Sequence, residues 1–180
     1  MRDHKRLSKF LSLILRHKAV DFALELDAAG YVDLQKIWAV INSEFHGRAT
    51  QADFDALMAE TNRFEINDGK IRALYGHSAV SDVHYPPATP PEYLYHGTVA
   101  AALKSIRAQG LSAQARQYVH LSTTRERASE VATRHGTPVL LTIRAMDAHH
   151  NGIVFHHPEP QHFLAKSIPP RYIDVSVETD

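Results

Sequence analysis

The chain has 180 residues, no cysteine, and 20 lysines and arginines against 20 aspartates and glutamates. The missing thiols exclude disulfides, thiolate catalysis and cysteine-held zinc, and the even charge excludes a chain-wide electrostatic footprint for nucleic acid. An anionic partner must therefore be held by local clusters, and residues 1–18 supply one, with Arg2, Lys5, Arg6, Lys9, Arg16 and Lys18 against the single acid Asp3. Within that segment Leu7, Phe10, Leu11, Ile14 and Leu15 recur at helical spacing, which predicts an amphipathic helix over about 3–18. At about 100° per residue, Arg16 falls opposite the apolar stripe and His17 on its border. Leu24-Glu25-Leu26 then alternates briefly into the turn Asp27-Ala28-Ala29-Gly30.

Asp33 is placed to cap a second helix carrying Leu34, Ile37, Trp38 and Ile41. Thr50 followed by Asp53 reads as a capping box for a third, with Phe54, Leu57 and Met58 inward. A hairpin follows: Arg63-Phe64-Glu65-Ile66, the turn Asn67-Asp68-Gly69-Lys70, then Ile71-Arg72-Ala73-Leu74-Tyr75. Three helices and then a hairpin is the order of a winged-helix domain.

Four prolines within 86–91 form a stiff, extended break that no helix or central strand crosses. The segment from Gly76-His77-Ser78 to Pro91 reads as a linker, or as a strap over the second half, giving domains 1–85 and 92–180 around it. Beyond the break the pattern is strand-like over 93–96, 118–121, 139–143, 153–155, 163–164 and 172–177. Two helices alternate with these strands, 99–109 between Thr98 as N-cap and Gly110 as stop, and about 125–135 between Thr124 and Gly136. The run Val139-Leu140-Leu141-Thr142-Ile143 suits a buried central strand. The fold class is α+β.

The chemistry centres on Tyr93-Leu94-Tyr95-His96-Gly97-Thr98, read as a strand ending in histidine, glycine and a helix N-terminus, a combination that suits a phosphorylated ligand. Tyr118-Val119-His120-Leu121-Ser122 is a near copy. Arginine is the natural phosphate ligand because its planar fork donates two parallel hydrogen bonds. Arg16, Arg63 and Arg116, with His17, are candidates to converge on an interdomain cleft, although spacing alone does not bring them together. No P-loop, Rossmann or Ser-His-Asp pattern occurs, and acids are sparse around the histidine strands, so an enzyme here leans on cations. The 13 histidines show no metal-ligand spacing, and the pairs His149-His150 and His156-His157 are expected to straddle strands, so no metal is expected. No apolar run approaches the roughly 18 residues of a membrane span, and a cytoplasmic monomer without membrane contact is expected.

Leu15-Arg16-His17, Ile71-Arg72-Ala73 with Gly76-His77-Ser78, the segment from Leu94 to Thr98, Arg116 with Val119-His120-Leu121-Ser122, and Arg134-His135-Gly136-Thr137-Pro138-Val139 together resemble the NAD-dependent RNA 2′-phosphotransferase family. The blocks stand in family order over nearly the whole chain. The resemblance implies a winged-helix-like N-terminal lobe and a C-terminal lobe of ADP-ribosyltransferase type that binds NAD as a co-substrate, without metal. It implies attack of an RNA 2′-phosphate on C1″ of the nicotinamide riboside, a 2′-phospho-ADP-ribosylated RNA, and then release of 2′-OH RNA with ADP-ribose 1″,2″-cyclic phosphate. The RNA is tRNA for the eukaryotic members. By motif match, Arg16, His17, Arg63 and Arg116 clamp the phosphate, with Arg72 the rival to Arg63, and His17 is also a candidate proton donor to the departing RNA oxygen. His96, Gly97 and Thr98 would hold the nicotinamide riboside, and His120, Leu121 and Ser122 the ribose and pyrophosphate.

Two residues depart from the family pattern: His162, where an apolar residue is usual, and Tyr75, where glutamine is usual. The alternatives are an ADP-ribosyltransferase acting on nucleic-acid ends or protein, and a non-enzymatic winged-helix regulator. The protein-modifying relatives usually place a glutamate on a late strand, where this chain has His162.

Overall fold

The computed structural model describes residues 2–78, 83–133 and 138–176. The chain divides into two compact units, Met1–His84 and Tyr85–Asp180. Among the described residues, six α-helices and antiparallel sheets make an α+β protein.

The first unit is built on locally capped helices. Helix α1, Arg2–Arg16, buries Leu7, Leu11, Ile14 and Leu15. Helix α2, Leu34–Phe45, starts where the Asp33 carboxylate accepts the N–H groups of Gln35 and Lys36, at 2.8 and 3.1 Å. Helix α3, Gln51–Glu60, has the expected capping box: Asp53 N–H donates to Thr50 Oγ1 at 3.2 Å, and Thr50 N–H donates to Asp53 Oδ2 at 2.9 Å. These helices share one core with Ile37, Ile41, Phe45, Phe54 and Leu57, and Phe10 sits edge-on to both Phe22 and Phe45 at 5.5 Å.

Strands β1 (Val32–Asp33), β2 (Phe64–Asn67) and β3 (Lys70–Ala73) form a sheet in the order β1-β3-β2. The two-residue turn Asp68-Gly69 takes φ of 48° and 70°, the left-handed pair that matches the twist of a tight hairpin. Phe64, Ile66, Ile71 and Ala73 share one face; Phe64, Ile71 and Ala73 are buried against the helices, while Ile66, next to the turn, is 43% exposed.

The second unit is a seven-stranded antiparallel sheet. Its strands are β4 (Pro87–Ala88), β5 (Tyr93–Val99), β7 (Val119–Ser122), β8 (Pro138–Arg144), β9 (Phe155–Glu159), β10 (His162–Ala165) and β12 (Ile173–Ser176), in the order β12-β8-β5-β7-β10-β9-β4. A separate pair joins β6 (Leu111–Ser112) to β11 (Ser167–Ile168). Helices α4 (Leu103–Gln109), α5 (Arg125–Ala132) and α6 (Ala145–His150) complete it. The core is Leu94, Leu121, Leu141, Ile143, Phe155, Phe163 and their neighbours. The proline-rich segment supplies β4, an edge strand, the sheet position where a missing N–H costs least.

Four expectations are corrected or refined. Gly97-Thr98 does not open a helix: β5 runs on, pairing Gly97 with Leu140, Thr98 with Val139 and Val99 with Pro138, and α4 begins only at Leu103, after a 3-10 turn over Ala100–Ala102 with no side-chain cap. The ladder with β8 outweighs the local capping signal. His149-His150 lie in α6, a helix too short to show periodicity, and not on a strand. Arg16, set by periodicity opposite the apolar stripe, is nonetheless half-buried, because the chain after β3 returns past the end of α1, where Ser78 N–H donates to the Arg16 carbonyl at 3.0 Å. Leu121 is wholly buried, so its side chain belongs to the core and only its backbone is open to a ligand. Thr124 caps α5 as expected, and Gly110 ends α4 with φ of 81°. The expected stop at Gly136 and the block from Arg134 to Thr137 lie outside the described residues.

Candidate functional site

In the first unit, Arg16 is the last residue of α1 and His17 follows it into solvent. A cation in the last turn of a helix interacts favourably with the carbonyl end of the macrodipole. The Arg16 guanidinium lies over the ring of Tyr75, 5.0 Å from its centroid, and its Nε and Nη2 are enclosed by protein. A cavity of about 270 Å³ opens beside the pair, lined also by Val20, Leu24 and Glu25.

His77 is buried nearby, against Gly30. A Cβ on Gly30 would stand 3.3 Å from His77 Nε2 and 3.2 Å from Val83 Cγ1, and Gly30 holds φ of 83°, so a side chain there is excluded twice over. Burial first, and then the charges of Arg16, His17 and Arg72, push His77 down from 6.5 to about 4. It is a neutral packing partner among cations. The sign of the linkage follows. Between pH 6.5 and 4 the unfolded chain binds this proton and the native chain does not, so stability falls as pH drops through that window, by up to about 3 kcal/mol. Urea unfolding at pH 7 and pH 4.5 is expected to show a smaller acid loss for His77→Gln than for the unaltered chain. An equal loss in both would remove His77 from the account.

Arg63 and Arg72 differ in what they are free to do. Arg72 is committed: Nε and Nη2 reach Glu65 Oε2 at 2.7 and 2.6 Å, Nη1 donates to the Ala29 carbonyl at 3.1 Å, and its carbon lies 4.5 Å from the Tyr31 ring centre. The Tyr31 hydroxyl donates to the same carboxylate at 2.6 Å and, with Arg72, holds Glu65 below the usual carboxylate range. Arg63, half-buried at the foot of β2, has no carboxylate partner among the described residues. Its carbonyl accepts Leu74 N–H at 2.9 Å, one residue from Tyr75, the ring beneath Arg16.

In the second unit, the sheet is nearly parted between β5 and β7. β5 pairs with β8 at seven successive positions, from Tyr93 opposite Arg144 to Val99 opposite Pro138, but with β7 only at Tyr95 opposite Ser122. The His96 side chain spans the parting, its Nδ1 2.9 Å from the His120 carbonyl oxygen. A carbonyl only accepts, so Nδ1 carries the proton and Nε2 keeps its lone pair. Burial lowers the His96 pKa, and the carbonyl bond works against that shift. Arg116, exposed, brings Nη1 within 3.4 Å of His120 Nε2; arginine must donate, which makes His120 the acceptor. His96, Arg116, His120 and Ser122 therefore stand together in one unit, whereas Arg16, His17 and Arg63 belong to the other.

Gly97 has a tertiary reason. A Cβ there would lie 2.0 Å from the Ala128 carbonyl oxygen and 2.9 Å from Ala132 Cβ, so α5 rests directly on the backbone of β5. Opposite Ser122 in the β7–β10 register, His162 is hydrogen-bonded to Glu159, and both side chains are buried.

A single family model, described as RNA 2′-phosphotransferase, Tpt1 / KptA family, matches residues 2–167 and so runs through both units. The chain belongs to the RNA 2′-phosphotransferase family. A probable RNA 2′-phosphotransferase of Pseudomonas aeruginosa is 42% identical over 180 residues, covering 95% of this chain and 98% of its own. Proteins with the same description from Acetivibrio thermocellus and Streptomyces coelicolor are each 40% identical, over 175 and 171 residues. They cover 95% and 93% of this chain, and 96% and 93% of their own lengths. In this member of the RNA 2′-phosphotransferase family, the candidate site includes residues that the sequence signalled only faintly or not at all. Tyr75 had surfaced only as a departure, His77 only within a block, and Glu159 not at all, although it stands three residues from His162 across a tight turn.

Proposed function

We propose that this chain removes an internal 2′-phosphate from RNA and transfers it to NAD, leaving a 2′-OH, ADP-ribose 1″,2″-cyclic phosphate and nicotinamide. The observation that carries the reading is the family match through both units. The helix order and three-stranded sheet of the first unit support a winged-helix-like lobe, and the parted sheet of the second supports a lobe of ADP-ribosyltransferase type.

The residues present fit NAD. His96 offers a neutral acceptor nitrogen suited to a sugar hydroxyl, and Arg116 an exposed fork suited to phosphate. NAD supplies an electrophilic sugar carbon beside a hydroxyl that takes up the phosphate. His96, Gly97 and Thr98 hold the nicotinamide riboside, Thr98 acting from a strand, and His120, the Leu121 backbone and Ser122 hold the ribose and pyrophosphate. Arg16, Arg63 and Arg116 neutralise charge on the phosphate, with His17 as proton donor to the departing RNA oxygen. Cations already ordered before substrate arrives cost little to reorganise, which is why the Tyr75 platform beneath Arg16 matters.

The test is incubation of the purified chain with NAD and a short RNA bearing one internal 2′-phosphate, followed by mass spectrometry. The three products together support the reading. Nicotinamide release with phosphate retained on the RNA points to the ADP-ribosylating alternative, and intact NAD removes the enzyme reading.

Arg63 and Arg72 separate cleanly here. Arg63→Ala is expected to lower turnover at least a hundredfold while leaving the unfolding midpoint almost unchanged. Arg72→Ala is expected to cost about 2 kcal/mol of stability, because it strips a half-buried carboxylate and a carbonyl of their donor. Urea melts beside single-turnover rates decide it; the reverse pattern would hand the clamp to Arg72.

A further inference from the structure

We propose that the buried Glu159–His162 pair is a positioning device that holds His120 in the orientation from which it fixes Arg116. The proposal rests on the reading of Arg116 as a phosphate ligand. Glu159 and His162 are 4% and 6% exposed, so both are shut away from water where an apolar side chain would fill the space more simply. His162 Nδ1–H donates to Glu159 Oε1, while Gln161 N–H donates to Oε2 at 3.1 Å. The carboxylate thereby selects the tautomer of His162 and sets the plane of its ring.

Register then carries that ring to the site. β10 pairs with β7 so that His162 stands opposite Ser122 and Leu164 opposite His120, which makes His162 and His120 diagonal neighbours on one face. Their ring centroids are 6.4 Å apart at 82°, an edge-to-face arrangement. A half-turn of the His120 ring would take Nε2 away from Arg116 Nη1, 3.4 Å distant, and present a carbon in its place. The fixed ring of His162 opposes that turn. Arg116 is exposed and long, so without an acceptor it samples many rotamers and meets the phosphate less often in a productive one.

His162→Gln is the first variant, because its amide still gives Glu159 a donor while the ring is lost. Turnover at saturating NAD is expected to fall about tenfold. Under single-turnover conditions, His162→Gln added to Arg116→Ala is expected to cause no further loss, since both act through one guanidinium. Long-range proton–nitrogen NMR on the full chain is expected to show His120 as a single Nδ1–H tautomer, turning into a mixture in His162→Gln. If that variant does not fold, Glu159→Leu with His162→Val removes both polar partners at once and carries the same expectations. Losses that multiply with Arg116→Ala, or a His120 signal that does not change, overturn the proposal. The NMR arm needs no turnover, so it stands even if the RNA reaction itself is not found.

Discussion

Gly97→Ala is expected to lower the stability of the chain by at least about 3 kcal/mol, at the upper end of overpacking costs or beyond it. The added methyl would stand 2.0 Å from the Ala128 carbonyl oxygen, a contact with backbone that no rotamer relieves. Either α5 lifts from the sheet or β5 leaves its ladder with β8, and each course opens the core around Leu94 and Leu141. Gly47→Ala is the comparison, for there a Cβ meets nothing and only φ of 70° is unfavourable, at about 1 kcal/mol. Urea unfolding of the two variants beside the parent measures both. Equal, small losses would show that α5 does not rest on β5 in solution.

Arg116→Ala is expected to slow 2′-phosphate removal by about 10³-fold or more while leaving the unfolding midpoint within about 0.5 kcal/mol of the parent. The stability expectation follows from exposure and from a hydrogen bond of only 3.4 Å to His120. The rate expectation follows from the proposed chemistry, in which charge on a transferring phosphate is met by a forked donor. Arg116→Lys is expected to recover part of the rate, since lysine restores charge without the fork. Single-turnover rates with NAD and a 2′-phosphorylated RNA give the answer, and a loss below tenfold removes Arg116 from the clamp.

The parts of the fold that were legible in the sequence are those held by neighbours in the chain. Asp33, the Thr50–Asp53 box and Asp68-Gly69 act over two to four residues, so residue type alone announces them. Gly97-Thr98 shows the opposite case. A glycine and a threonine before an apolar run look like a helix start, but Leu140 and Val139, some 40 residues on, hold them extended, and the glycine serves α5. The half-burial of Arg16 was hidden for a similar reason: periodicity knows only the helix's own stripe and not the return through Tyr75 and Ser78 that packs beside Arg16. In the candidate site, the adjacency of Arg16 and His17 was visible at once. The bond from His96 to His120 and that from Arg72 to the Ala29 carbonyl depend on which segments lie side by side, and no local pattern reports that; Glu159 and His162, three residues apart, are local, but nothing in residue type marks them as buried partners.

The long ladder between β5 and β8 also sets a timetable for folding. During synthesis the first unit has its helices and its hairpin complete within local sequence, and it can close early. β5, with Tyr93, Leu94 and Tyr95, emerges next and then waits for Pro138–Arg144. At ~5–20 residues per second that interval is roughly 2–8 s, long beside the microseconds in which a hairpin forms. For those seconds an apolar strand stands unpaired at what will be the middle of a sheet. The second unit is thus the half of the nascent chain with most to gain from a chaperone, and slower translation between residues 99 and 138 would lengthen its exposure.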